Sequence, residues 1–404
     1  MVDFDTALKL VLSAVPRLPA TGRDLVNALG DVLAADVPCP ENIPPFPRSA
    51  MDGYAVRSRD FREERTEFVI VENIPAGVAP RHVLEEGEAA RIFTGAMLPQ
   101  GADAVIMQEE AELLGGNRVR FSSRPVAGKF VLKIGDVARA GDLILKRNSV
   151  LTPPALALLA SAGITAATVY GRPRCCVLAT GDELVEPTCF ARPAQVRNSN
   201  APMLVAALMS VGARPEYLGI ARDDRPSLRA LLERGLQGDI LLVSGGVSVG
   251  EHDLVGDELI NLGVEPIFTR IAIKPGKPLF FGRRQHAIVF GLPGHPASSL
   301  VSFELFVKPA IYKMRGFGDR PPEFRRGKLA DTVTLIRDRL TFLPATFTES
   351  VRGVAIRPLE WAGSADIRAL ARATCLAAIP PGESPLPGGA DVDFLTFRWA
   401  RYCS

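Results

Sequence analysis

The six cysteines, Cys39, Cys175, Cys176, Cys189, Cys375 and Cys403, include no Cys-x-x-Cys spacing, which removes the common pattern for a zinc site or a dithiol redox centre. Cys175 and Cys176 are adjacent in an apolar run patterned like a strand, so buried free thiols in a reducing compartment are expected instead of disulfides. Net charge is also scarce. Lysine and arginine total 47 against 45 aspartate and glutamate, a formal +2 that is too small for electrostatic binding of nucleic acid. Any anion must be recognised locally. Uninterrupted apolar runs of membrane-spanning length are missing as well, because the most apolar stretch, 151–170, is broken by Pro153, Pro154 and Gly163. The first residues, Met1-Val-Asp-Phe-Asp-Thr, carry acids where a signal peptide needs basic residues, so a cytoplasmic protein with no membrane partner is expected. There is no internal repeat, heptad run or low-complexity segment.

What is present is a chain of 404 residues, longer than one core usually supports. Spaced apolar residues over 4–35 (Leu8, Leu12, Val15, then Leu25, Val26, Leu29, Leu33) predict two short amphipathic helices interrupted at Pro16 and Pro19. From 48 to 146 short apolar runs separated by turn residues predict a small β domain. Thr152 followed by Pro153 predicts a helix start, and Gly163 suits its end. Strand and helix then alternate: strands at 175–180, 216–220, 239–244 and 264–273, helices at 201–211, 226–234 and 253–262, then a strand at 287–290 and a helix from Pro296 to about Lys313. Such alternation means parallel βαβ units in a doubly wound α/β domain. Residues 327–404 return to β and predict a small barrel or sandwich.

The densest chemistry lies between 239 and 296. An apolar run ends in Ser244-Gly245-Gly246, and Gly250-Glu-His-Asp253, Lys274-Pro-Gly-Lys277 and Gly291-Leu-Pro293-Gly294-His295-Pro296 follow. Bare backbone N–H groups at the carboxyl end of a parallel strand suit phosphate, and ammonium groups suit oxyanions. Glu183, Asp223, Asp224 and Asp253 all follow predicted parallel strands, so they converge on one edge, where their mutual repulsion favours a cation. Taken singly, each has a plainer reading: Asp253 as a helix cap, the others as exposed loop acids, the lysines as a solvated turn pair. Their shared edge favours ligand roles. Ser49-Ala-Met-Asp52-Gly and Thr94-Gly95, in the β region, are readable as two tight turns.

Gly246-Val-Ser248-Val-Gly250 matches the hydrolase elbow pattern, with His252, His286 and His295 downstream. That reading fails because Ser248 lies beyond a Gly-Gly corner and no His-Gly-Gly-Gly element supplies an oxyanion hole. Gly276-Lys277 is no Walker loop either, since Pro278 stands where Ser or Thr is required.

Taken together, Pro47-Arg-Ser-Ala-Met-Asp-Gly-Tyr-Ala-Val, Arg91-Ile-Phe-Thr-Gly-Ala, Gly101-Ala-Asp-Ala-Val, Ala179-Thr-Gly-Asp-Glu-Leu, Asn198-Ser-Asn, Ser244-Gly-Gly-Val-Ser-Val-Gly, Ile273-Lys-Pro-Gly-Lys-Pro and Gly291-Leu-Pro-Gly resemble the molybdopterin molybdenumtransferase family, which includes the E domain of gephyrin. The C-terminal part matches more loosely, with Gly363-Ser364-Ala-Asp-Ile as its anchor. The resemblance implies a multidomain α/β protein: an elongated helical segment (1–47 plus 147–171), a β insertion domain (48–146), a doubly wound parallel α/β domain (172–322) and a small C-terminal β domain (323–404). It implies a homodimer with a shared active crevice, and insertion of molybdate into adenylylated molybdopterin with Mg²⁺ and release of AMP. Carried over, Glu183, Asp223 or Asp224, and Asp253 hold metal, with Glu183 and Asp253 also catalytic. Ser244, Gly245, Gly246, Pro293, Gly294 and His295 hold the cofactor's phosphates, and Ser364 contacts the ligand. Lys274 and Lys277 hold molybdate or stabilise charge, and Asp52 with Thr94 completes the site from the partner chain. Transient contacts with other cofactor-biosynthesis proteins and acceptor molybdoenzymes follow from the same resemblance. His295 replaces the asparagine of many relatives, and Arg48 replaces an acid; altered affinity more than lost activity is expected from both. The competing expectations are a non-catalytic carrier or scaffold on this fold, the adenylyltransferase of the preceding step, and a tungstate-preferring paralogue.

Overall fold

The computed structural model describes residues 1–61, 66–246, 254–334, 338–351 and 353–399. The chain divides into two compact units, Met1–Thr21 with Gly30–Ala34 and Val169–Ser404, and Gly22–Leu29 with Ala35–Thr168.

In the first unit helix α1 (Phe4–Ala14) is capped by Asp3, whose Oδ1 accepts from the Thr6 amide at 2.9 Å, and it buries Ala7, Leu8 and Val11. The second N-terminal helix expected from the apolar spacing does not form. Ala20–Asp24 is extended and Leu25–Asn27 makes only a single 3₁₀ turn, with Gly30 at φ +73° just beyond it. Thr21 and Gly22 are poor helix residues, and no side chain caps the turn.

The second unit is built on a mixed six-stranded sheet of β1 (Gly53–Val56), β2 (Glu67–Ile74), β3 (Glu88–Ile92), β4 (Ala104–Met107), β5 (Ala111–Gly115) and β6 (Arg118–Phe121), in the order β4-β1-β3-β2-β6-β5. Tyr54 and Val56 enter one apolar cluster with Phe68 and Phe121, while Ala55 enters another with Ile74 and Ile92. The strand is therefore buried on both faces, and for this reason its sequence reads as a continuous apolar run. Helix α2 (Pro153–Ser161) begins where Thr152 predicts, with Thr152 Oγ1 accepting from the Ala155 amide at 3.4 Å.

The α/β layer of the first unit has six strands, β7 (Arg174–Thr180), β8 (Arg214–Ala221), β9 (Ile240–Ser244), β10 (Glu265–Arg270), β12 (Pro278–Arg284) and β13 (Ala287–Leu292), in the order β8-β7-β9-β13-β12-β10. The four strands β8, β7, β9 and β13 are mutually parallel, β12 is antiparallel to β13, and β10 is antiparallel to β12 and so runs with the four. Alternate residues of β7 face opposite ways. Cys175 and Val177 pack with α3 (Asn200–Ser210) and the closing helices, and Cys176 and Leu178 pack with α4 (Arg225–Gly235) and α5 (Leu254–Asn261). Helices thus cover both faces, each buried leucine or valine contributing roughly 1.5–3 kcal/mol of transfer free energy. Burial pushes the Cys175 and Cys176 thiols up, in keeping with their packing role.

The single strand expected at 264–273 is instead two elements. β10 stops at Arg270, and β11 (Ile273–Lys274) leaves the α/β sheet to pair in parallel with the start of β15 (Leu340–Ser350), Ile273 opposite Leu340 and Lys274 opposite Thr341. The closing helix runs from α6 (Pro296–Ser302) through a π turn at Phe303–Val307 into α7 (Lys308–Met314). Within the π turn Glu304 is buried and accepts from Lys308 Nζ at 2.7 Å; burial raises its carboxyl and Lys308 opposes the rise. The C-terminal strands β14 (Phe324–Leu329), β15, β16 (Gly353–Pro358), β17 (Cys375–Ile379) and β18 (Asp391–Thr396) take the order β11-β15-β16-β14-β18-β17. Pairing of β15 with β17 closes them into a small barrel, with α8 (Ile367–Arg372) alongside. No helix among the described residues is long and apolar enough to cross a membrane.

Candidate functional site

The four parallel strands end at Thr180, Ala221, Ser244 and Leu292, on one edge of the sheet. A cavity of about 1170 Å³ opens there, bounded by strand-end turns on one side and by Arg339, Trp361 and Ser364 of the C-terminal part on the other. This is where an open α/β sheet accepts ligands. The turn after β9 needs glycine. Gly245 has φ +95° and Gly246 φ +66°, and a Cβ on them would stand 2.7 Å from the Thr180 carbonyl oxygen and 2.5 Å from Val255 Cγ2, respectively. Two consecutive glycines at positive φ leave bare backbone beside the cavity, as an oxyanion cradle requires.

Glu183 and Asp223 both line the cavity. Asp223 is tied to the turn after β7: its Oδ2 accepts from the Asp182 amide at 3.3 Å, and its own amide donates to Asp182 Oδ1 at 3.2 Å. Asp224 is placed differently. It caps α4, its Oδ1 accepting from the Ser227 amide at 2.8 Å, and it is not among the cavity-lining residues. Asp253, like Ser248 and His252, falls in 247–253, outside the described residues. Among the described residues no three His, Cys, Asp or Glu side chains converge on a metal position. Two carboxylates on one cavity wall nevertheless suit Mg²⁺, which usually takes one or two carboxylates and completes its shell with substrate phosphates and water.

Opposite charge comes from Lys274 and Lys277, both exposed and both lining the cavity, with Lys274 placed by the pairing of β11 in the barrel sheet. Arg339, just before β15, joins them, its Nε 3.3 Å from Asp338 Oδ1. Pro293, Gly294 and His295 line the wall at the end of β13. His295 Nδ1 lies 2.8 Å from Ser364 Oγ, and the Ala297 amide donates to the Ser364 carbonyl at 3.0 Å, so the turn that begins the closing helix is bonded to the 363–364 turn.

Sequence reasoning assigned no role to Asn198, Asn200 or Arg339. Asn198, two residues before α3, accepts from the Ala201 amide at 3.1 Å, and its amide nitrogen donates to Tyr217 Oη at 2.9 Å. Asn200 Nδ2 donates to Ser244 Oγ and to the Gly294 carbonyl, each at 2.7 Å. The Asn198-Ser-Asn triplet was visible as a motif, but its function depends on turns far away in the chain.

Asp52 and Thr94 belong to the second unit and lie together. The Thr94 amide and hydroxyl both donate to Asp52 Oδ1 at 2.7 Å. The amide bond, with the hydroxyl behind it, holds the exposed Asp52 carboxyl below the usual carboxylate range. The two turns read from the sequence are thus one hydrogen-bonded corner, with β1 starting at Gly53. Arg48 is bridged to Leu132, with its Nε buried and without a hydrogen-bond partner among the described residues.

A doubly wound α/β sheet with a strand-end crevice lined by a glycine turn, carboxylates and lysines, and joined to a small barrel, is the arrangement of an α/β ligand-binding protein. Residues 2–163 match the family described as MoeA N-terminal region (domain I and II), 176–313 the "Probable molybdopterin binding domain", and 326–397 the MoeA C-terminal region (domain IV). The molybdopterin molybdenumtransferase of a Nostoc species is 35% identical over 96% of this chain and 92% of its own length. That of Haemophilus influenzae is 37% identical over 80% of this chain and 81% of its own. The crystal structure of a molybdopterin biosynthesis moeA protein from Pyrococcus horikoshii superposes with a TM-score of 0.82 at 31% identity, covering 98% of this chain and 99% of that one. The chain belongs to the molybdopterin molybdenumtransferase family, is an enzyme of the molybdenum-transferring kind, and serves molybdenum cofactor biosynthesis.

Proposed function

We propose that the chain transfers molybdenum from molybdate into the dithiolene of adenylylated molybdopterin, in a Mg²⁺-dependent reaction in the cytoplasm that releases AMP. The observation that carries this reading is one cavity lined by Glu183, Asp223 and the Ser244-Gly245-Gly246 turn from the strand ends together with Lys274 and Lys277. The glycine turn and the Pro293-Gly294-His295 turn suit the phosphates, fixing the anhydride where it breaks. Lys274 and Lys277 suit molybdate and offset charge on the departing phosphate. Mg²⁺, held by Glu183 and Asp223 with Asp253 as a further candidate, would neutralise the anhydride oxygens. Asp223, which lines the cavity, is preferred over Asp224, which caps a helix. Ser364, which lines the cavity and is held by its bond to His295, is the ligand contact from the barrel side in this reading.

The Asp52–Thr94 corner is read as the contribution of a second copy of the chain, in a homodimer whose crevice is shared. An exposed carboxylate kept ionised by two donors suits a charged ligand environment. Contacts with other cofactor-biosynthesis proteins and acceptor molybdoenzymes belong to the same reading.

Purified protein incubated with adenylylated molybdopterin, Mg²⁺ and molybdate should release AMP in a molybdate-dependent way and yield cofactor that activates an empty molybdoenzyme. Tight nucleotide binding without turnover, with molybdate or tungstate, would replace this reading by a carrier or scaffold. Mixing Asp52→Ala with Asp223→Asn protein should restore activity that neither has alone if crevices are shared.

A further inference from the structure

Asn200 opens helix α3 and is 7% exposed, yet its side chain joins two turns of the cavity wall, one after β9 and one after β13. Nδ2 donates to Ser244 Oγ and to the Gly294 carbonyl, each at 2.7 Å. A carbonyl only accepts, so the atom facing Gly294 is the nitrogen, and the amide has one orientation. Both Nδ2 hydrogens are then used. Oδ1 is left buried with no hydrogen-bond partner among the described residues. Burying an unpartnered acceptor is unfavourable, so this placement is maintained by what the nitrogen does.

The nitrogen determines the direction of the Ser244 hydroxyl. With a donor facing Ser244 Oγ, the hydroxyl hydrogen must turn elsewhere, and among the described residues the bond from Asn200 is the only one that this hydroxyl makes. Ser244 is 3% exposed and lines the cavity at the head of the glycine turn. We propose that Asn200 is a positioning residue that compels Ser244 to act as a hydrogen-bond donor toward a phosphate in the cavity, while anchoring the Gly294 turn opposite. Asn200 acts through Ser244 and touches no ligand itself. The inference rests on the cavity holding a phosphate-bearing ligand, as proposed above.

The test is a double-mutant cycle on AMP affinity, read by calorimetry in the full-length protein, with Asn200→Ala, Ser244→Ala and the double variant. A hydrogen bond to a charged group sets the scale, so each single substitution should raise the Kd roughly tenfold to a hundredfold. In the Ser244→Ala background, removing Asn200 should add no more than about threefold, the residue of its grip on Gly294. In turnover, KM for adenylylated molybdopterin should rise while kcat changes less. Circular dichroism and melting temperature check the fold, and Asn200→Leu, which fills the space of the lost amide, substitutes if the alanine variant fails to fold. Full additivity of the two substitutions, or unchanged AMP affinity in a folded Asn200 variant, overturns the inference. So does a wild-type protein that binds no AMP. A coupled cycle in a protein that binds AMP but never releases it from adenylylated molybdopterin and molybdate would leave the Asn200 inference standing and refute the transferase reading.

Discussion

Replacing Gly246 by alanine isolates what the turn after β9 requires. Gly246 sits at φ +66°, and an added Cβ would lie 2.5 Å from Val255 Cγ2 and 2.7 Å from Thr180 Oγ1. The left-handed backbone costs an L-residue about 1–2 kcal/mol, and forcing a methyl into occupied space costs about 1–3 kcal/mol more. The sum, roughly 2–5 kcal/mol, corresponds to a fall in melting temperature of about 4–20 °C for the α/β layer, taking about 2–4 °C per kcal/mol. Gly263→Ala is the matched control. Gly263 has φ +81° in the same layer, but its nearest neighbour is Arg284 Nε at 3.8 Å, so only the backbone cost of about 1–2 kcal/mol applies. Scanning calorimetry of both variants, with AMP titration of each at a temperature where both are folded, separates strain from crowding. The Gly246 variant should melt lower than the Gly263 variant and bind AMP at least tenfold more weakly, while Gly263→Ala binds normally. Equal melting temperatures would show that Val255 and Thr180 yield freely, and unimpaired AMP binding would show that the glycine turn is no phosphate cradle.

Asp223→Asn should reduce Mg²⁺-dependent AMP release at least tenfold at unchanged melting temperature, whereas Asp224→Ala should lose about 1 kcal/mol of stability as a removed cap and keep its turnover, both read on purified variants. The Asp52 carboxyl, held low by Thr94, should remain ionised below the reference value of 3.8, so the Asp52–Thr94 link is present above that value and lost only as pH falls further. Thr94→Val should move the titration back upward in a ¹³C carboxyl measurement, and an unmoved midpoint would contradict the assigned bonds. The Glu304 carboxyl is already raised by burial with Lys308 opposing, so Lys308→Met leaves burial unopposed and lifts the folded-state carboxyl further above its unfolded value. Stability should then be greatest at acidic pH and decline as pH rises through the carboxyl range, and urea unfolding that is flat with pH would refute this.

The strands of the α/β layer were legible because they are buried on both faces, which makes runs such as Arg174–Thr180 and Ile240–Ser244 nearly continuous in apolar residues. Thr152 was legible as a local signal, since a cap is decided within three residues, whereas Asp224, read as a loop acid, proved to be the cap of α4. Helical spacing over Leu25–Leu33 misled because periodicity takes no account of what each turn can pack against, and the chain there is extended before a single tight turn. β12 escaped notice because Pro278 and Gly282 disguise a strand whose partners are β10 and β13. That Glu183, Asp223, Lys274 and Lys277 line one cavity was readable from their motifs, but the place of Asn200 was not. Its two partners lie 44 and 94 residues along the chain, and no local pattern encodes a bond that exists only after three turns meet.

The two residues of β11 bear on how this protein can be taken apart. Lys274 is encoded in the middle of the α/β segment, yet its backbone is a rung of the barrel sheet, opposite Thr341. A chain ending at residue 322 would retain the lysine and lose the ladder that aims it, along with Arg339 and Ser364. The barrel is therefore no detachable appendage. In a recombination experiment that exchanges it between relatives, the inherited fragment must bring a compatible first strand, and chimeras with a mismatched one should fold both parts and still misplace the ammonium group.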